Sequence, residues 1–211
     1  MESRFSFIFK KMALIGIFRG ITPVSVEAVV GAAIEKGIRI AEVPLNSPDP
    51  LISIERLVKQ FGDDVLVGAG TVTTVAEVIA VANAGGQIIV TPYARGTVVK
   101  KAKELGLTAI PGALTPTEIA EMYECGADAV KIFPAEAAPP VVIKAMRAVL
   151  PATLPLLPVS GINIENMETY WNAGANGFGL GSALYRAGDS VDQVAKNAAM
   201  FVQEMKKLSS K

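Results

Sequence analysis

Lys131 stands in Ala129-Val130-Lys131-Ile132-Phe133-Pro134, a short apolar run closed by a proline. Such a run reads as a buried strand. An ammonium group there costs on the order of several kcal/mol unless it is paired or neutralised. Burial lowers a lysine's pKa, and a lysine that is neutral near pH 7 adds to carbonyls to form Schiff bases. A lysine that snorkels from a strand end, or pairs structurally with an acid, fits the same pattern. Strand alternation puts Lys131 on one face with Ala129 and Phe133, and Val130 and Ile132 on the other.

Glu42, in Ile40-Ala41-Glu42-Val43-Pro44, is equally expensive to bury alone. With Lys131 it forms either a structural ion pair or an acid/base partnership. An acid beside an amine can move protons while a carbinolamine forms, water leaves and a C–C bond breaks. The two effects on the lysine oppose each other: a nearby carboxylate raises its pKa and burial lowers it. A neutral amine needs burial to win, or needs Arg19 nearby to offset the acid. Arg19 ends Ile17-Phe18-Arg19 and can hold a carboxylate with two parallel hydrogen bonds, or simply cap a rim. Thr71 follows Gly68-Ala69-Gly70, where glycines admit a ligand to the backbone and the hydroxyl can bond a carboxylate or carbonyl.

Two late turns, Val159-Ser160-Gly161-Ile162-Asn163 and Gly177-Phe178-Gly179-Leu180-Gly181-Ser182, each end a strand and precede a helix, the seventh and eighth in order. Backbone amides around Ser160, Gly161, Ile162, Gly181 and Ser182 are a candidate phosphate cradle, and ordinary turn glycines are the plainer reading. No spacing of Cys, His and acids matches a zinc, calcium or P-loop site, so neither metal nor cofactor is expected. Tyr185 and Trp171 read as packing residues.

These residues need a scaffold. Apolar runs at Leu14–Gly20, Arg39–Asn46, Val65–Thr71, Gln87–Thr91, Thr108–Gly112, Ala129–Pro134, Leu156–Gly161 and Gly177–Gly181 alternate with amphipathic helical patterns. Those patterns lie at Pro23–Lys36, Leu51–Phe61, Val75–Ala84, Arg95–Leu105, Pro116–Glu124, Pro140–Leu150, Ile164–Asn172 and Val191–Lys207. Thr22-Pro23 and Thr115-Pro116 look like N-cap and first-turn pairs, and Asn163 like another cap. Eight such units in about 200 residues predict a single-domain (β/α)8 barrel, with a doubly wound open sheet as the alternative. The segment before Leu14 is expected to add a helix across the barrel's bottom. Arg19, Glu42, Asn46, Thr71, Thr91 and Lys131 then fall at the C-terminal strand ends, where sites on such barrels lie.

Composition narrows the function classes. The 211 residues include 51% hydrophobic and 19% charged residues, which argues against disorder. Twenty basic residues balance 20 acidic ones with no basic block, so nucleic-acid binding is not expected. Histidine is absent, which removes the commonest general base. Cys125 is the only cysteine, in keeping with a reducing cytoplasm. Met1 to Lys11 carries charge around a short apolar core and reads as neither signal peptide nor membrane span.

Together these residues resemble the bacterial 2-keto-3-deoxy-6-phosphogluconate aldolase family, class I aldolases on a (β/α)8 barrel. The resemblance covers nearly the whole chain. It rests most specifically on Lys131-Ile132-Phe133-Pro134-Ala135-Glu136, Gly68-Ala69-Gly70-Thr71-Val72 and Glu42-Val43-Pro44-Leu45. It implies that Lys131 forms the Schiff base and that Glu42 is the acid/base. It implies a phosphorylated keto acid and pyruvate as the small-molecule partners, no membrane or nucleic acid, and a homotrimer. Arg19 and Thr71 would hold the carboxylate, with Asn46, Pro92, Phe133 and Val159 completing the substrate-binding set.

Gluconate-type members usually carry an arginine where this chain has Asn46 and a threonine where it has Val159. Loss of a hydroxyl beside the substrate's C4 is a physical route to the C4 epimer, and Arg19 would then take over carboxylate binding. The gluconate form, 4-hydroxy-2-oxoglutarate and a phosphate-binding barrel without catalysis are the competing readings. Relatives commonly have two adjacent glycines where this chain has Ser160-Gly161. A positive φ at Ser160 would carry strain that glycine avoids.

Overall fold

The structure is a computed structural model that describes residues 3–210; Met1, Glu2 and Lys211 lie outside the described residues. It opens with α1 (Arg4–Lys11), then β1 (Leu14–Ile17), α2 (Val26–Lys36), β2 (Ile40–Pro44), α3 (Pro50–Phe61), β3 (Leu66–Gly70) and α4 (Val75–Asn83). There follow β4 (Ile88–Val90), α5 (Gly96–Glu104), β5 (Thr108–Ile110), β6 (Gly112–Ala113), α6 (Pro116–Glu124) and β7 (Val130–Ile132). A 3-10 turn (Ala135–Ala137), α7 (Pro140–Arg147), β8 (Leu156–Pro158), α8 (Ile164–Asn172), β9 (Phe178–Leu180) and α9 (Val191–Ser209) complete it.

All pairings between strands are parallel. A six-stranded sheet runs β5-β4-β3-β2-β1-β9, and a three-stranded sheet runs β6-β7-β8. This is the parallel α/β architecture expected from the alternating pattern, with one difference. The fifth expected strand, Thr108–Gly112, is two segments separated by Pro111, which has no N–H to give to a ladder. Its first half pairs with β4 and its second half with β7. Thr91, expected among the polar residues of the site, instead stitches this seam. Its buried hydroxyl accepts from the Gly112 N–H at 3.0 Å and donates to the Tyr93 carbonyl at 2.5 Å. At the other seam a single parallel bridge joins Val159 to Gly179.

Each strand is buried along its whole length, as in a sheet covered by helices on one face and packed on itself on the other. Local chemistry sets the helix starts. Thr115 and Thr74 close capping boxes with Glu118 and Glu77, and Asn163 accepts from the amides of Glu165 and Asn166. Thr22-Pro23 does not open a helix. The Thr22 carbonyl takes the amides of Ser25 and Val26 in a turn, and α2 begins at Val26. The expected N-terminal helix is present as α1 and packs Phe5, Ile8 and Phe9 into the core. No described helix is long and apolar enough to cross a membrane.

Candidate active site

Register brings the costly charges to one end of the sheets. On β2, Glu42 sits opposite Ile17 of β1 and Gly68 of β3. On β7, Lys131 sits opposite Gly112 of β6 and Leu157 of β8. Glu42 is 1% exposed and Lys131 6%. A Cβ on Gly70 would fall on the Glu42 carboxyl, so only glycine leaves the space that the acid fills. The Glu42 Oε2 atom has no hydrogen-bond partner.

Burial decides the electrostatics of both groups. It pushes the Glu42 pKa up to about 7, against the Lys131 charge, the Arg19 charge and a hydrogen bond from the Gly70 backbone, which all pull it down. Burial also lowers the Lys131 pKa, opposed by Glu42 and aided by Arg19. Of the two opposed effects on the lysine, burial is the larger and the net shift is downward. Both members of the pair are driven toward their uncharged forms, the state in which an amine can attack and an acid can donate. The Lys131 Nζ lies 4.5 Å from the centroid of the Phe133 ring, so the two share a face as strand alternation requires.

The loops after β1 and β2 are tied together around Arg19. Its Nη1 donates to Asn46 Oδ1 at 2.5 Å and its Nη2 to Thr71 Oγ1 at 3.4 Å. Beside them, the Gly20 amide donates to the Ser47 hydroxyl at 3.0 Å. Asn46 and Thr71 therefore both hold the Arg19 guanidinium. Thr71 has φ 58°, an unusual conformation for a threonine, and it turns the chain directly beyond β3.

A cavity of about 680 Å³ opens beside Arg19 and Lys131, with Glu42, Asn46 and Thr71 outside its lining. Its lining includes Arg19, Lys131, Phe133, Val159 and both late turns, through Ser160, Gly161, Ile162, Gly181 and Ser182. Lysine, arginine and the candidate phosphate cradle, far apart in sequence, thus meet in one space. Pro92 is outside that lining; its backbone lies under Gly112, where a Cβ would come within 2.6 Å of it. Ser160 has φ 84°, the strained conformation anticipated for it, and its hydroxyl donates to Glu136 Oε1 at 2.9 Å. Its amide stays in the turn, while its hydroxyl is engaged by the acid. Arg186, which also lines the cavity, escaped the sequence reading, and Glu136 entered it only as the last residue of the Lys131 run, with no role. Both are exposed turn residues, so neither carries the burial cost that marks Lys131 and Glu42.

A lysine whose pKa is lowered by burial, with an acid whose pKa is raised by burial in reach of its field, suits amine addition to a carbonyl. It places the protein among the lysine-dependent, class I aldolases. The chain belongs to the KDPG and KHG aldolase family, which matches residues 8–197. It is 47% identical over 193 residues to the 2-dehydro-3-deoxy-6-phosphogalactonate aldolase of Escherichia coli strain K12, covering 92% of this chain and 94% of that one. It is 44% identical to a probable 2-dehydro-3-deoxy-6-phosphogalactonate aldolase of Rhizobium meliloti strain 1021, over 88% of this chain and 87% of the relative. A solved structure described as native KDPGal superposes with a TM-score of 0.93 at 45% identity, covering 95% of this chain and 98% of its own. The KDPG aldolase of Legionella pneumophila, captured with pyruvate as a covalent carbinolamine, superposes with a TM-score of 0.79 at 25% identity over 95% and 96% of the two chains.

Proposed function

We propose that this protein cleaves 2-dehydro-3-deoxy-6-phosphogalactonate to pyruvate and glyceraldehyde 3-phosphate, with Lys131 as the Schiff-base nucleophile. The observation that carries this reading is a buried Lys131, its pKa lowered by burial, lining one cavity with both late turns, backed by Glu42. The names of the galactonate-type relatives support the choice of substrate.

The steps follow from the geometry. The Lys131 amine adds to the C2 ketone, and protonated Glu42 gives a proton to the departing oxygen, so that water leaves and an iminium forms. The Glu42 carboxylate, directly or through one water, then takes the proton of the C4 hydroxyl. The C3–C4 bond breaks and its electrons pass into the iminium to make an enamine. Glyceraldehyde 3-phosphate departs, protonated Glu42 returns its proton to C3, and water hydrolyses the iminium to pyruvate and free Lys131. Arg19, oriented by Asn46 and Thr71, holds the carboxylate, and Phe133 bounds the ketone end. The amides of Ser160, Gly161, Ile162, Gly181 and Ser182 receive the phosphate.

Val159 sets the epimer. It is buried in the cavity wall, pressed against Gly179, where an added Cβ would lie 2.6 Å from its Cγ2. It offers no hydrogen bond to a C4 hydroxyl, whereas a threonine there would favour one configuration. The two sheets are the walls of one closed eight-stranded barrel in a single domain, with β5 and β6 as halves of one strand. The working form is a cytoplasmic homotrimer. Comparing kcat/KM for the galactonate and gluconate epimers tests the substrate; a preference for the gluconate form would overturn it.

A further inference from the structure

The charges around the cavity are unevenly distributed. Among its lining residues the cations are Arg19, Lys131 and Arg186, and no Asp or Glu lines it. Arg19 is committed to the ketone end: its charge acts on both Glu42 and Lys131, and its guanidinium is tied to Asn46 and Thr71. Lys131 is buried, which lowers its pKa. Arg186 is of a different kind. It stands beyond β9, and the charges acting on Lys131 are those of Glu42 and Arg19, not its own.

The local structure fixes where Arg186 reaches. After β9 the chain makes a tight turn in which the amides of Leu184 and Tyr185 both donate to the Gly181 carbonyl. Tyr185 is buried against Phe18, with ring centroids 5.6 Å apart, and anchors that turn to the loop after β1. The Arg186 amide donates to Asp189 Oδ2 at 2.8 Å, and its Nε donates back to the Ser182 carbonyl at 3.2 Å. The side chain is therefore folded over Gly181-Ser182, one of the two turns that face the cavity. Its two Nη atoms make no hydrogen bond among the described residues, so the donating edge of the fork is free for a ligand.

A second observation points to the same need. The opposite turn gives its Ser160 hydroxyl to Glu136, so its side chain is not free to donate to an anion, and an acid stands close behind it. A phosphate monoester carries about −1.5 to −2 charge at neutral pH. Neutral amides and one serine hydroxyl, at Ser182, leave most of that charge uncompensated beside the Glu136 carboxylate. Arginine is the side chain whose geometry matches phosphate oxygens two at a time.

We infer that Arg186 is the cationic clamp for the phosphate of the substrate. With Arg19 on the carboxylate, it makes the cavity positive at both ends and orients a substrate that is negative at both ends. This inference rests on the aldolase reading for its substrate, but not for its anion chemistry. Arg186 is a binding and specificity residue and takes no part in bond making.

The full-length R186Q and R186K variants test it against wild type. For R186Q, kcat/KM for 2-dehydro-3-deoxy-6-phosphogalactonate should fall about 10- to 100-fold, mainly through KM, with R186K intermediate. The ratio of kcat/KM for this substrate over its unphosphorylated counterpart should fall by the same factor. Equal losses on both substrates would mark Arg186 as merely structural and overturn the inference, as would an unchanged ratio. Calorimetric titration with inorganic phosphate supplies a readout independent of turnover. Weaker phosphate binding by R186Q than by wild type supports the clamp even if the wild type shows no aldolase activity. Equal affinities would refute it.

Discussion

Gly70 makes room for Glu42: a Cβ on the glycine would overlap the carboxyl of an acid that is buried and has one oxygen without a hydrogen-bond partner. The pairing crosses neighbouring strands, β2 and β3, and sets the acid's position from the backbone side. Gly70→Ala should therefore displace Glu42 rather than Lys131. The expected result is a fall in kcat of about 100-fold, the order of loss for a misplaced catalytic group, together with a loss of stability of about 1–3 kcal/mol from overpacking. Steady-state kinetics and chemical denaturation of the purified variant check both. Wild-type kcat in Gly70→Ala would show that the position of Glu42 does not limit turnover.

The pH dependence of the reaction should report the same acid. With the Glu42 pKa near 7, kcat/KM should fall on the alkaline side with an apparent value of about 7, as the protonated acid that expels water from the carbinolamine is lost. The Arg19 charge lowers the pKa of both Glu42 and Lys131. Removing it in Arg19→Gln withdraws support from the carboxylate and repulsion from the ammonium, so both values rise. The alkaline limb should move to higher pH in that variant, beyond any loss of substrate affinity. A pH–rate series on the two proteins decides the matter, and a shift toward lower pH would contradict the assigned electrostatics.

Glu42 also links function to stability. Its folded pKa of about 7 lies above the ordinary value of 4.5, so the folded state holds this proton more tightly than the unfolded chain. The associated stability is fully present below the unfolded pKa and is lost as the pH rises through about 7. Glu42→Gln carries no such proton and should escape the loss. Relative to wild type, its unfolding free energy should improve by about 2 kcal/mol between pH 5 and pH 8. Urea denaturation at the two values measures the difference. A variant-to-wild-type difference independent of pH would show that Glu42 is not held above its ordinary range.

Sequence reasoning saw those parts of the molecule that carry a physical cost. Lys131 and Glu42 were legible because charge in an apolar strand needs an explanation, and the helices around them because caps such as Thr115 and Asn163 use local chemistry. The break at Pro111 was not legible as a division between two sheets. Thr108–Gly112 reads as one strand, and which neighbour each half pairs with is set by residues far away in sequence. Arg186 was missed for a related reason. An exposed arginine in a turn carries no energetic signature, and only the fold shows that Gly181-Ser182 lies beneath it. The Ser160–Glu136 hydrogen bond spans 24 residues and joins two turns whose proximity no local pattern announces.

Ser160 offers a test of the strain itself. Its φ of 84° is a conformation that glycine adopts without cost, and its hydrogen bond to Glu136 is at an exposed position. Ser160→Gly relieves roughly 1–3 kcal/mol of backbone strain and gives back part of it through the greater freedom of the unfolded chain. A net gain of about 1 kcal/mol, or some 2–4 °C in Tm, is expected, with the turn amides still in place for phosphate. Differential scanning calorimetry reads this directly, and a lowered Tm would mean that the Glu136 contact outweighs the strain.

The central claim is that Lys131 is a nucleophile. Incubating the protein with pyruvate and borohydride, followed by peptide mass spectrometry, tests it most directly. The account predicts a stable reduced adduct of pyruvate on Lys131 in the wild-type protein and none in Lys131→Met. Wild-type protein that stays unmodified, or that is modified at another lysine while Lys131 stays free, would contradict it.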